Sequence, residues 1–160
     1  MSAYLVSVWL HILAATAWIG GMIFFAAVIV PTIRRPEMRE QSQRLLAVVG
    51  PLFRRLGAAS LILLVVTGVT NLWLRGIGWT TLTTGEFWRQ SYGKLLGHKL
   101  ALVVFVVLAT GLHDTIANTM VEDPAARERA RRRASMLGRV VLLASFVIVA
   151  LAVGMVRGCG

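Results

Sequence analysis

Four apolar stretches, each long enough to cross the hydrocarbon core of a bilayer, constrain this chain more than any other feature. They run Tyr4–Val30, Leu52–Leu74, Tyr92–Ala117 and Leu137–Val156. A helix needs about 20 such residues to cross. Lipid offers the backbone no hydrogen bonds, so each stretch satisfies its own polar groups only as a helix. The expected fold is all-α, an integral membrane four-helix bundle forming a single transmembrane domain over residues 1–160. The chain has 160 residues, 57% of them apolar, with mean hydropathy +0.73, which leaves no room for a second domain. The first stretch is read as a retained span. No basic residue precedes it, and it runs into a basic loop rather than a cleavage site.

The net charge of +10 raises nucleic acid as a partner, but its distribution argues against one. Arg34, Arg35, Arg39, Arg44, Arg54 and Arg55 lie between the first two spans. Arg127, Arg129, Arg131, Arg132, Arg133 and Arg139 lie between the last two. Only Arg75, Arg89, Lys94 and Arg157 fall on the opposite side, setting aside Lys99 within its span. The positive-inside rule then places both basic loops in the cytoplasm and both termini on the extracytoplasmic side. The same charges attract anionic lipid. The single cysteine, Cys159, excludes a disulfide framework.

Punctuation along the chain is expected as follows. Pro31 and Pro36 bracket the exit from the first span, and residues 36–50 form an amphipathic surface segment with Leu45, Leu46 and Val49 on its apolar side. Pro51 resets the chain before the second span. Gly76–Ser91 is the longest irregular stretch. Its Trp79, Phe87 and Trp88, with Tyr92, read as interfacial anchors or as a lid. Ser91 is the expected cap of the third span. Glu122-Asp123-Pro124 closes that span, and Ala125–Ala134 is a charged helical lead into the fourth. Phosphate-binding loops, dinucleotide fingerprints, CxxC pairs and nucleophile elbows are absent from the sequence.

Ionisable groups at membrane depth are costly and mark cofactor, ion or proton sites. Here they are His11, His98, Lys99, His113 and Asp114. At 100° per residue, Ser7, His11, Ala14, Trp18, Gly21 and Phe25 share one stripe of the first span. Gly57, Ser60, Thr67 and Asn71 share one face of the second, as interhelical glue or as part of a binding site. In the third, His98 lies with Lys94, Ala101, Phe105 and Ala109, while Lys99, Val106 and His113 form a separate stripe. His98 and Lys99 point 100° apart. His11 and His98 lie at similar depth from one side; His113 is roughly 22 Å further along and cannot share a ligand with His98. His113 and Asp114 read as helix-end groups.

Two imidazoles at one depth on different helices of a bundle are a setting for axially ligated haem. Ala14 and Ala15 beside His11, and Gly97 and Ala101 beside His98, give a flat macrocycle clearance. Trp18 and Phe105 are candidates to pack against it, and Lys94 or Arg89 to meet its propionates. Copper is the competing ligand, since imidazole suits it and thioether suits Cu(I). Met22 lies nearly on the His11 face but roughly 16 Å deeper. The other methionines are scattered and line no path.

The block W-x-H-x-x-A-x-x-x-W-x-G-G at Trp9–Gly21 and the block Y-G-x-L-L-x-x-K-L at Tyr92–Leu100 resemble the CopD-type, copper resistance protein D-like membrane proteins. So do Arg54–Val69 and Leu137–Val153. The same blocks are similar to the HemJ type of protoporphyrinogen oxidase, a four-helix family that binds haem b. There an early histidine and a lysine opening the third span matter most; the matching positions are His11 and Lys99. His98 is not part of either pattern, and Ala144 and Ser145 stand where CopD-type proteins often carry an acidic residue. The resemblance implies a multi-pass protein of the bacterial plasma (inner) membrane with a His-centred site.

The leading expectation is a haem b-binding redox protein, with iron held by His11 and by His98 or Lys99. Oxidoreductase activity would be electron transfer or protoporphyrinogen oxidation. The alternatives are a copper transport or resistance protein using His11 and His98, and a scaffold whose histidines only hydrogen-bond. Expected partners are the lipid bilayer, a redox partner or quinone, and a second copy of the chain, for which small-xxx-small pairs on the first span leave room.

Overall fold

The structure, a computed structural model, describes residues 2–38, 40–118 and 124–157, the side chains at 113–118, 124–125, 127–128 and 131 excepted. Every regular element among these residues is helical. α1, Ala3–Phe24, passes without a break into a π-helical turn, Phe25–Ile29, and then α2, Val30–Ile33. Pro31 explains the wide turn. It lacks an N–H, so the Ala27 carbonyl loses its usual partner, and the Val30 N–H reaches back to Phe25 O instead. The first span therefore outruns Val30.

α3 is Ser42–Leu74, with Pro51 inside it. The expected restart at Pro51 does not occur. Gln43 to Ala47 are strong helix formers, and a proline within a long helix forfeits one bond without ending the rod. The stretch 76–91 also differs from expectation, because it holds two short helices, α4 (Trp79–Thr83) and α5 (Gly85–Arg89). α6, Ser91–Asn118, begins at Ser91 rather than being capped by it; the Lys94 N–H bonds to Gln90 O. α7, Pro124–Arg157, is a single helix containing the charged lead. Pro124 sits at its first position, where a missing N–H costs nothing. Four helical stretches are long and apolar enough to cross a membrane: Ala3–Ile33, Ser42–Leu74, Ser91–Leu112 and Arg132–Arg157. At 33 and 34 residues, α3 and α7 measure about 50 Å, against about 30 Å of hydrocarbon.

The chain divides into two compact units, Met1–Trp79 and Thr80–Gly160. In the first, α1 and α3 run antiparallel. Arg75 Nε donates to Tyr4 Oη at 2.9 Å near one end, and the Phe25 and Phe53 rings lie 4.9 Å apart near the other. Large groups meet small ones between these points. A β-carbon on Gly57 would lie 3.0 Å from the Trp18 ring, and one on Gly21 would lie 3.3 Å from Phe53. Ser7, Ala14 and Trp18 are buried from α1, and Ser60 and Thr67 from α3. The two polar-and-small stripes read from the sequence thus face each other.

In the second unit, α6 and α7 pack through Leu96, Val106 and Ala109 on one side and Val141, Ala144 and Ser145 on the other, all buried. The Ser145 hydroxyl donates to Val141 O, one turn back on its own helix. α5 folds onto the start of α6. Phe87 is buried with its ring edge toward Trp88 and Tyr92, and Trp88 Nε1 donates to Leu82 O at 2.9 Å. Gly93 fits directly beneath the Phe87 carbonyl, where a β-carbon would collide with backbone. Of the expected interfacial aromatics, only Trp79 stands largely exposed, at 84%. The outward faces of the long helices are apolar, with Ile62, Val69, Leu108 and Leu143 exposed, as a lipid-facing surface requires.

Candidate metal centre

His11 lies two turns into α1, on the stripe that faces α3. Its Nδ1 is 2.7 Å from Thr67 Oγ1. Thr67 is 4% exposed, and its hydroxyl donates to Leu63 O at 2.6 Å, with Leu64 O further away at 3.4 Å. A threonine in a helix commonly makes this bond. A hydroxyl has one hydrogen, and a carbonyl oxygen can only accept. With that hydrogen on Leu63 O, the Thr67 oxygen accepts from His11 Nδ1–H and the neutral ring carries its lone pair on Nε2; with the hydroxyl turned to Nδ1, the tautomer would be the other. Gly68 lies beside the ring, where a β-carbon would stand 3.6 Å from His11 Cε1.

Polar groups continue toward the chain's N-terminal end of this pair. The Ser7 hydroxyl donates to Thr67 O at a long 3.5 Å. Asn71, one turn beyond Thr67, has a shielded Oδ1 with no hydrogen-bond partner among the described residues. Arg75 then reaches Tyr4, its guanidinium carbon 5.7 Å from the ring centroid. The sequence shows Thr67 and Asn71 as members of a polar stripe but not their pairing with His11. That pairing depends on the register of two helices 56 residues apart. The Tyr4–Arg75 contact carries no sequence signal beyond the reach of both side chains at span ends.

In the second unit, His98 is exposed, and its Nδ1–H donates to Lys94 O at 2.7 Å. This ring also carries its lone pair on Nε2. Lys94, Ala101 and Phe105, on the same stripe, are exposed as well, while Lys99 is partly buried. Trp18 is buried within the first pair against Gly57, and Ala15 is partly buried. His11 and His98 belong to different units. The side chains of His113 and Asp114, and the whole of Cys159, lie outside the described residues. Among the described residues no group of three or more His, Cys, Asp or Glu is gathered as a metal cage.

The model of the family described as copper resistance protein D matches residues 47–155. The chain belongs to the copper resistance protein D family. The matched stretch holds most of α3 with Thr67 and Asn71, all of α6 with His98 and Lys99, and nearly all of α7. His11 lies upstream of it. An uncharacterised protein of Aquifex aeolicus (strain VF5) is 35% identical over 146 residues, covering 90% of this chain and 89% of that protein. No solved structure matches the chain significantly. The chain is thus a membrane protein of the copper resistance type, with four helices capable of spanning the bilayer.

Proposed function

We propose that this protein handles copper in the bacterial plasma membrane, with copper as its cargo and His11 as a ligand through Nε2. The carrying observation is the fixed imidazole. Thr67 Oγ1 lies 2.7 Å from Nδ1 and has Leu63 O for its own hydrogen, an arrangement that supports Nδ1–H and a lone pair on Nε2 before any metal arrives. Imidazole nitrogen suits copper, and an oriented second nitrogen is the usual support for a metal-binding histidine. His98, with its own Nδ1–H committed to Lys94 O, is a separate candidate ligand on the second unit. The family description supports copper.

A second reading is haem b, for which the imidazole of His11, held by Thr67, is a suitable axial donor. His11 would be its ligand from the first unit, and His98 and Lys99 are the candidates on the second. When bound, it would supply one-electron chemistry. The chain's own residues would fix the His11 ring through Thr67.

One preparation separates these readings. Purified protein in detergent is assayed for copper by elemental analysis, and its absorption is recorded before and after dithionite. Stoichiometric copper in a preparation without a Soret band, lost in His11→Ala, is the expected result. A Soret band with sharp α and β bands on reduction replaces copper with haem b. Absence of both, with His11→Ala altering only stability, overturns both and leaves a helix scaffold.

A further inference from the structure

We propose that Thr67 is a positioning residue that sets the tautomer of His11 and so decides which imidazole nitrogen meets the metal. The proposal rests on the reading of His11 as a metal ligand. Its geometry comes from the backbone of α3. The Leu63 carbonyl, at 2.6 Å, draws the only hydroxyl hydrogen of Thr67 to itself, which leaves the oxygen of that hydroxyl to accept from α1. His11 Nδ1 stands 2.7 Å away and, in the arrangement proposed, donates. A neutral imidazole in water favours neither arrangement strongly enough to exclude the other. Here a helix carbonyl, relayed through one hydroxyl, selects Nδ1–H.

The surroundings keep that relay in place. Thr67 is buried, so water does not compete for its oxygen. Gly68 brings the α3 backbone close to His11 Cε1, limiting rotation of the ring. The Ser7 hydroxyl, which could otherwise offer a hydrogen to the Thr67 side chain, is directed at the Thr67 carbonyl. His98 is oriented differently, by a carbonyl of its own helix. Only His11 has its tautomer set by a side chain of another helix among the described residues. Outer hydrogen-bond partners of this kind support metal affinity by about 10- to 100-fold.

The test uses the full chain in lipid bilayers, with 15N-labelled histidine. In metal-free protein, solid-state NMR distinguishes protonated from unprotonated ring nitrogens, and His11→Ala assigns the signal. Wild type and Thr67→Ser should show His11 protonated at Nδ1. Thr67→Val, which keeps the shape without the hydroxyl, should show both tautomers, and Thr67→Ala serves if the valine variant does not fold. Titration with Cu(I) under a competing chelator should then show 10- to 100-fold weaker binding in Thr67→Val, rescued by Thr67→Ser. An unchanged Nδ1–H signal in Thr67→Val and Thr67→Ala overturns the proposal. So does unchanged copper affinity in a Thr67→Val protein whose tautomer has shifted. If wild type and His11→Ala bind copper equally while the tautomer still follows residue 67, the metal reading of His11 fails and the tautomer control stands.

Discussion

Each helix pair carries one histidine whose Nδ1 lies 2.7 Å from an oxygen, yet the two bonds fix different things. His98 bonds to the carbonyl one turn back on its own helix, so its orientation would survive in an isolated α6. His11 bonds to a hydroxyl on another helix, so its orientation exists only while α1 and α3 hold their register. The seams differ in the same way. The buried residues of the first include Ser7, Ser60 and Thr67 among small ones, and those of the second are mostly apolar: Leu96, Val106, Ala109, Val141 and Ala144, beside Ser145. Lipid is as apolar as leucine, so an apolar seam gains its strength from packing alone. A seam with cross-helix polar bonds gains specificity of alignment too.

That contrast can be broken at its strongest points first. Gly93→Ala forces a β-carbon into the Phe87 carbonyl, with no flexible side chain to yield. It should cost the second unit about 3 kcal/mol, the upper range for overpacking, read as loss of Trp88 fluorescence at lower denaturant. The His11–Thr67 pair comes next. A double-mutant cycle of His11→Ala and Thr67→Val should give a coupling of about 1.5 kcal/mol, near the top of what cross-helix polar pairs give in membranes. A coupling near zero would erase the distinction between the two seams. Gly57→Ala meets the Trp18 ring at 3.0 Å, and the ring can tilt. About 1 kcal/mol is expected, with a changed Trp18 environment in near-UV circular dichroism. Smallest is His98→Ala, an exposed residue bonded to its own helix; stability should change by less than about 0.5 kcal/mol. Any larger loss would place His98 in a structural role.

The four spans and the facing stripes of α1 and α3 were legible because lipid leaves the backbone one option and because polar residues at membrane depth must face inward. Ser7, Ala14 and Trp18 on one side, and Ser60 and Thr67 on the other, meet as their periodicity indicates. The proline signals misled at Pro51. A proline rule is local, whereas α3 is held by propensity on both sides of it. The helices in 76–91 depend on a fit between Gly93, Phe87 and Trp88, which no period encodes. The His11 stripe could be read, but the tautomer could not. It follows from a three-atom relay whose middle member lies 56 positions away.

The excess length of α3 and α7 has a consequence for the membrane itself. Each rod outreaches the hydrocarbon by roughly 20 Å. The surplus turns carry Arg44, Arg54 and Arg55 on one and Arg132, Arg133 and Arg139 on the other. Long guanidinium side chains can stretch toward the headgroups from several depths. A thicker or thinner bilayer would then shift the waterline along the α3 turns without disturbing His11, which sits toward the opposite end of that pair. The imidazole proposed as a ligand would thus be insulated from lipid composition by a sliding margin of arginine.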